Sequence, residues 1–291
     1  MSSIQKYRFS HLRHISNLKS FRRSWLSFEP EIRKILGPNP TADDILNLGT
    51  KLAQVFQSNS TGRTQSGVSS AGTAWECLVL WYFNLVLNGT HVAAIRPHTR
   101  FTPPSISNST AVTIGNTRTN TESDLIVFTI PESDAVGEYD FGTIDAAIAS
   151  ESKHVSVAVV QCKSNWNDNA QVPMLWGLIY ASAGSISTNK NVSIGSNGIN
   201  PASFQSFTYS FVTVPTSRGP FKHNSLAVLR VSALSGGNYW GHPTRNGVAQ
   251  SVSEFFTANF PNAFRSTVQN SISNNVLKQK DILEKFLTLD F

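Results

Sequence analysis

The pattern of apolar and polar positions predicts that the chain begins with helices. Residues 1–57 show helical spacing that Pro38 and Pro40 interrupt, and Thr41 then has the right chemistry for an N-cap. Residues 73–87 are densely apolar and aromatic, which is typical of a buried helix, and an Asn-Gly pair follows as a stop signal. Together these segments predict a helical first third of the chain.

Strands are predicted in the middle of the chain and helices again towards its end. Apolar runs rich in Val, Ile and Phe predict strands at 125–130, 155–160, 204–214 and 226–234. Further helices are predicted at 174–183, 248–260 and 265–290, and irregular segments at 58–72 and 98–121. This order of elements indicates an α/β fold, with a central mixed β-sheet flanked by helices.

The overall charge favours an acidic partner without proving one. Lys and Arg outnumber Asp and Glu by 24 to 18, and the isoelectric point is about 9.4. A basic protein gains affinity for a polyanion because each neutralised phosphate releases counterions. An ordinary basic protein with no such partner would have the same composition.

The N-terminal 28 residues carry six Lys or Arg residues and no acid. This composition is typical of a mitochondrial transit peptide, and equally of a basic helix that lies along DNA. We favour the second interpretation because the basic positions continue into a segment that is itself predicted to fold. No run is apolar for long enough to span a membrane, and neither cysteine belongs to a CxxC pair, which argues against a zinc site.

One group of residues has the character of a catalytic site. The strand at 155–160 runs directly into Gln161, Cys162 and Lys163. Since side chains alternate along a strand, Gln161 and Lys163 share one face while Cys162 faces the core. Asp124 comes just before the strand at 125–130. If the two strands pair, the carboxylate, the amide and the ammonium group converge.

This arrangement resembles the PD-(D/E)xK nucleases, in particular the type II restriction endonucleases. Glu122-Ser123-Asp124 is similar to the first half of the family motif, and Gln161-Cys162-Lys163 to the second half. The family often adds a carboxylate from the preceding helix, and Glu76 occupies that place in the sequence. The resemblance covers roughly residues 70–185.

The resemblance implies a restriction-endonuclease-like fold and Mg²⁺-dependent, sequence-specific hydrolysis of double-stranded DNA. Asp124, Gln161, the backbone carbonyl of Cys162 and Glu76 would bind the metal, and Lys163 would orient the attacking water or offset the charge on the phosphate. It further implies a homodimer on a palindromic site and a bacterial cytoplasmic protein, with neither a membrane nor a nucleotide cofactor. The chain would be a single endonuclease domain, with a basic helical region over 1–57, a catalytic core over 70–185, and remaining strands and helices over 186–291.

The sequence departs from the family pattern in ways that leave alternatives open. Position 161 is Gln rather than an acid, and a neutral amide is a weaker ligand for a hard cation. Asp124 lies 39 positions before Lys163, so Asp145, which is nearer, is an alternative first acid in the acidic segment 131–154. Each residue also has an ordinary interpretation: a surface lysine, a turn-capping aspartate, or a glutamate that favours a helix dipole.

Polar and basic residues near the motif are candidates for contacts with DNA phosphates or bases. They are Arg63, Asn165, Asn167, Arg218 and Lys222. Three other functions remain open: a repair or recombination nuclease of the same fold, a non-catalytic basic DNA-binding protein, and a protein unrelated to nucleic acid.

Overall fold

The computed structural model describes residues 2–59, 67–120, 123–131, 141–164, 192–214, 222, 224–225, 228–229, 236–239, 241 and 252–291. The protein has a mixed α/β fold, as the sequence predicts. A four-stranded mixed sheet and a three-stranded antiparallel sheet are flanked by helices.

The N-terminal region is helical, which confirms the prediction for residues 1–57. Its helices are α1 (Ser3–Ser16), α2 (Lys19–Leu36), α3 (Ala42–Thr50) and α4 (Leu52–Gln57). Thr41 caps α3 as predicted, because its hydroxyl accepts the N–H of Asp44 while the Asp44 carboxylate accepts the N–H of Thr41. Helix α1 is part of the folded body, since Tyr7, Leu12 and Ile15 are buried.

A long helix and four strands form the centre of the molecule. Helix α5 (Gly67–Val86) precedes strands β1 (Val92–Ile95), β4 (Leu125–Thr129), β5 (Ser156–Lys163) and β7 (Ser206–Thr213). The strands lie in the order β1-β4-β5-β7. The β1–β4 and β4–β5 pairs are antiparallel, whereas β5 and β7 are parallel. Leu125 lies opposite Val160, so the start of β4 adjoins the end of β5.

The segment 98–121, predicted to be irregular, instead folds into a helix and two strands. They are α6 (Pro104–Ser109), β2 (Ala111–Ile114) and β3 (Thr117–Asn120). Strand β2 lies between β3 and β6 (Val192–Ile194) in the second sheet. Strands β2 and β3 form a hairpin around Gly115 and Asn116. Strand β2 also pairs with β6, a partner that is distant in sequence and that composition does not reveal.

The hydrophobic core covers both faces of the four-stranded sheet. One face of β1, β4 and β5 packs with α5 and the helical region, whereas the other face packs with Tyr7, Ile106, Ile144 and Ile148. Helix α5 is apolar around most of its circumference, which is expected of a helix with neighbours on all sides. Burial on both faces explains why β4 and β5 read as continuous apolar runs.

The C-terminal region contains α8 (Glu254–Asn259), α9 (Val268–Ile272) and α10 (Lys280–Thr288). Two buried indoles hold α10 against the body. Trp25 Nε1 donates to the Leu287 carbonyl and Trp81 Nε1 to the Phe286 carbonyl, both at 2.9 Å. These bonds connect α10 to α2 and α5.

Two further predicted segments differ from the structure. Of the strand predicted at 226–234, the structure describes Val228 and Leu229, which lie in a helical turn in which the Leu229 N–H donates to the Ser225 carbonyl. The acidic segment 131–154, for which the sequence pattern predicted no helix, contains helix α7 (Phe141–Ser150). The helix predicted at 174–183 lies outside the described residues. No helix in the described part of the chain is both long and apolar enough to cross a membrane.

Candidate functional site

Asp124 lies at the point where β4 begins, beside the end of β5. Its Oδ2 accepts two hydrogen bonds, one from Gln161 Nε2 at 2.5 Å and one from the Cys162 N–H at 2.7 Å. Both donors come from the end of β5, which the antiparallel pairing places opposite Asp124. The structure therefore brings together the two halves of the predicted motif.

Gln161 is 1% exposed, and both ends of its amide have partners. The nitrogen donates to Asp124, and the oxygen accepts the Tyr209 hydroxyl at 3.2 Å. Tyr209 belongs to β7, where it lies opposite Val159. Gln161 therefore connects the acid at the start of β4 to a hydroxyl on the fourth strand.

Cys162 has its thiol in the core beside α5, while its backbone faces Asp124. Burial raises the pKa of the thiol well above its ordinary value, so the sulfur is a neutral core group. The N–H and C=O of one residue in an extended strand point to the same side. Because the Cys162 N–H points to Asp124, its carbonyl oxygen lies on the side where β4 begins.

Glu76 lies within α5 rather than in its first turn, because the helix begins at Gly67. Its position therefore does not fit the interpretation of Glu76 as an acid that favours the helix dipole. Its Oε2 accepts the Arg96 Nε–H at 2.9 Å, and the Glu76 side chain is 16% exposed. Arg96 follows β1 directly, at the sheet end where β4 begins.

The Asp124 carboxyl has an unusual proton affinity. Burial, followed by the negative charge of Glu76, raises its pKa to about 7. The Cys162 N–H and the charges of Lys163 and Arg96 lower the pKa, but by less than burial and Glu76 raise it. Two carboxylates thus share a partly buried site that has too little positive charge to keep Asp124 fully ionised at neutral pH.

Lys163 is the last residue of β5 and is partly exposed. Its charge acts on Asp124. Its carbonyl accepts the Val214 N–H at 3.1 Å, which fixes the backbone of this residue to the segment after β7. Lys163 is therefore carried by a strand that is paired on both sides, with β4 and with β7.

The oxygen atoms at this site fit a hard divalent cation in part. Among the residues described, no three His, Cys, Asp or Glu side chains lie close enough to hold a metal ion. A hard cation such as Mg²⁺ nevertheless often uses only one or two carboxylates, together with neutral oxygens and water. Asp124, Glu76 and the Cys162 carbonyl supply such a set, and the negative charge of Glu76 acts on Asp124, a repulsion that a cation would relieve. Gln161 presents its nitrogen to Asp124, so its oxygen could join the set only after the amide rotates.

Asp145, the alternative first acid, lies elsewhere. It belongs to α7, and its Oδ1 accepts the Ser105 N–H at 2.9 Å near the start of α6. It therefore stabilises the beginning of that helix, whereas Asp124 is the acid that contacts Gln161 and Cys162.

The predicted DNA contacts are mostly outside the described residues. Arg63, Asn165, Asn167 and Arg218, together with Glu122 of the motif, lie in those parts of the chain. Lys222 is exposed, and its carbonyl accepts the Ser225 N–H. Arg8, one of the N-terminal cations expected to face DNA, is instead buried and donates to the Thr90 and Val92 carbonyls, so it holds α1 to β1.

Sequence reasoning missed Arg96 and Tyr209, which hold Glu76 and Gln161. The available signal was weak: Arg96 is a cation directly after an apolar tetrapeptide, and Tyr209 is a polar aromatic residue inside a predicted strand. A cavity of about 790 Å³ opens at the opposite end of the sheet, beside His91, Thr129 and His154. It includes none of the predicted site residues that the structure describes.

Comparison with known proteins adds no family to this description. No protein-family model matches the sequence, and no curated protein matches it significantly.

Proposed function

We propose that this protein is a Mg²⁺-dependent DNA endonuclease of the PD-(D/E)xK type. The observation that carries the proposal is the contact of Asp124, at the start of β4, with Gln161 and Cys162 at the end of β5. Lys163 follows at once, and Glu76 projects from the helix before the first strand of the sheet. This is the arrangement that the resemblance implies for the two motif halves and the helix carboxylate.

Each group has a role that its surroundings support. Asp124, Glu76 and the Cys162 carbonyl would hold the cation, and Tyr209 would fix the Gln161 amide beside them. The cation would supply Lewis-acid polarisation of the scissile phosphate and activation of water. Lys163 would donate a hydrogen bond to the attacking water or to the phosphate oxygens as negative charge develops.

Within this class, we propose a type II restriction enzyme that acts as a homodimer on a palindromic sequence. The likeness of Glu122-Ser123-Asp124 and Gln161-Cys162-Lys163 to the two motif halves supports that group. A twofold-symmetric protein would match the twofold symmetry of such a site.

The first experiment is incubation of the purified protein with unmethylated phage DNA, in Mg²⁺ and in excess chelator. Discrete fragments that require Mg²⁺ are expected, and sequencing of their ends would give the recognition site. A continuous smear with Mg²⁺ would instead indicate a repair or non-specific nuclease of the same fold.

DNA that is bound but never cut would contradict the catalytic proposal. The contact between the Gln161 amide nitrogen and Asp124 favours this second function, a non-catalytic DNA-binding protein, because it directs the amide oxygen away from the carboxylate. Gel retardation in the same reactions distinguishes this outcome from a complete absence of DNA binding.

A further inference from the structure

A group of basic side chains lies around one aromatic ring near the candidate site. His14 from the end of α1 and His98 and Arg100 from the turn after β1 surround Phe101, and we call these three residues the basic cluster. The His14 and His98 ring centroids are 4.8 Å apart, and they lie 5.0 and 5.7 Å from the Phe101 centroid. The Arg100 guanidinium carbon is 5.5 Å from the same centroid.

The electrostatic surroundings of the cluster are cationic. Burial lowers the pKa of His14, and the charges of His98, Arg100 and Arg96 lower it further. His11, on the same helix, is buried, and the charges of His14, His98 and Arg96 act on it. Positive groups from the end of β1 and from the following turn therefore disfavour the protonation of His14 on α1, and an anion bound among them would relieve this repulsion.

The hydrogen bonds of the turn direct a donor outwards. The Arg100 N–H donates to His98 Nδ1 at 3.1 Å, so the proton of the neutral His98 ring is on Nε2. The His98 N–H donates to the Thr102 hydroxyl, and the His98 carbonyl accepts the N–H groups of Phe101 and Thr102. His98 and Arg100 are both exposed. The turn thus holds an imidazole donor and a guanidinium at the surface.

Arg96 connects the basic cluster to the candidate site. Its charge lowers the pKa of His14 and also that of Asp124, and its side chain is bonded to Glu76. The cluster and the carboxylates consequently lie on either side of one residue, at the end of the sheet where β1 stops and β4 starts.

We propose that the basic cluster is a phosphate-binding site that holds a backbone phosphate of the DNA strand beside the candidate centre. This inference rests on the proposed function for the identity of the ligand. Arg100 and His98 donate to the phosphate oxygens, and the bound phosphate favours the protonated form of His14. Binding therefore takes up a proton and becomes tighter as the pH falls from 8 to 6.

The test measures the affinity of a fluorescein-labelled 20-base-pair duplex by anisotropy in chelator, where cleavage is suppressed. Arg100→Gln and the double variant His14→Gln/His98→Gln are expected to bind about tenfold more weakly at pH 6, with a salt slope smaller by about 1. The double variant should also lose the part of the pH dependence that comes from His14, while the part that comes from Asp124, with its pKa of about 7, should remain. Lys34→Gln is the matched control, because Lys34 is an exposed cation near the far end of α2. The Lys34→Gln variant should bind the duplex with the affinity of the wild type.

The outcomes separate this inference from the nuclease proposal. If the wild type cuts DNA and both variants bind it with unchanged affinity and salt slope, the cluster assignment is overturned and the nuclease assignment stands. If the variants weaken duplex binding but the wild type never cuts DNA, the cluster assignment stands and the nuclease assignment is overturned. Urea denaturation checks that the double variant folds. If the double variant does not fold, Arg100→Gln still tests the cluster, because it removes only an exposed side chain.

A second arm uses inorganic phosphate with histidine ring resonances as the readout. Movement of the His14 and His98 signals on titration supports the phosphate chemistry. If these signals move but no variant changes duplex affinity, the site binds free phosphate and the DNA assignment is overturned. If neither signal moves and duplex affinity is unchanged, both parts of the inference are overturned.

Discussion

Gln161 donates its amide N–H to the carboxylate of Asp124, while its amide oxygen accepts the hydroxyl of Tyr209. A carboxylate at position 161 would have no N–H to offer, and two negative groups would then face each other. The amide therefore allows the site to remain stable without a cation. A cation between residues 161 and 124 would favour the rotated amide, with Tyr209 accepting the N–H.

Replacing Gln161 with Glu should make the fold depend on a divalent cation. At pH 8 in chelator we expect the variant to be less stable than the wild type by about 1–3 kcal/mol, because a buried hydrogen bond is exchanged for charge repulsion. Mg²⁺ should raise the melting temperature of the variant more than that of the wild type. At pH 5.5 the difference in chelator should narrow as one carboxyl takes up a proton. Equal melting temperatures at pH 8 would contradict this account of Gln161.

Asp124 should make the protein less stable as the pH rises. Its folded pKa of about 7 lies above its ordinary value of 3.8, so between these values the folded state binds more protons than the unfolded state. Stability from this group is greatest at low pH and is lost as the pH rises to 7. Asp124→Asn removes the titration, while its oxygen can still accept from Gln161 and Cys162.

Urea denaturation in chelator measures this effect as a difference between two proteins. The stability of Asp124→Asn minus that of the wild type should increase by on the order of 2 kcal/mol between pH 5 and pH 8. Mg²⁺ should reduce the difference at pH 8 by binding only the wild type. A difference independent of pH would contradict the raised pKa.

His11 should have the opposite effect. It is buried, and its Nε2 accepts the Arg96 N–H at 2.9 Å. Burial, and then the charges of His14, His98 and Arg96, lower its pKa from 6.5 to about 3. The unfolded state therefore binds more protons between these values, and stability is lost as the pH falls below 6.5. From this group alone we expect a loss of about 2 kcal/mol between pH 7 and pH 5.

A His11→Gln variant tests this expectation. Its amide oxygen can accept the Arg96 N–H but does not titrate in this range, so the variant should lose less stability than the wild type on acidification. Urea denaturation at pH 7 and pH 5 gives both values. An identical acid-induced loss in the two proteins would indicate that His11 is not the group responsible.

The sequence predicted the strands that carry the site, but not all of the residues that hold it. Val and Ile runs identified β4 and β5, and alternation along β5 placed Gln161 and Lys163 on one face with Cys162 in the core. Those features depend on local pattern alone. Glu76 was identified because it lies on the helix that precedes the strands, and that helix can be predicted from local sequence alone.

The contacts missed from the sequence depend on tertiary pairing. Arg96 is a partner of Glu76 only because β1 ends beside β4, and Tyr209 reaches Gln161 only because β7 lies parallel to β5. Strands β2 and β3 were missed because each has only four residues, which is too few for a strand pattern to be recognised within a Thr-rich and Asn-rich segment. The β1–β4 and β5–β7 pairings join segments that are distant in sequence, and the local pattern of either segment does not identify its partner.

Lys163 provides the sharpest test of catalysis, because a second lysine, Lys153, lies three residues before the start of β5, at the opposite end of the strand. Lys153 is exposed, and its Nζ donates to the Ala202 carbonyl; the strand between the two lysines is about 23 Å long by its rise per residue. Lys163→Ala should reduce DNA cleavage in Mg²⁺ at least about 100-fold, which corresponds to the loss of one charge-stabilising donor in the transition state. Its DNA affinity in chelator should change little. Lys153→Ala should cleave like the wild type. If Lys163→Ala retains cleavage, or if both variants lose it equally, Lys163 does not act at the phosphate and the assignment of this site to a nuclease is wrong.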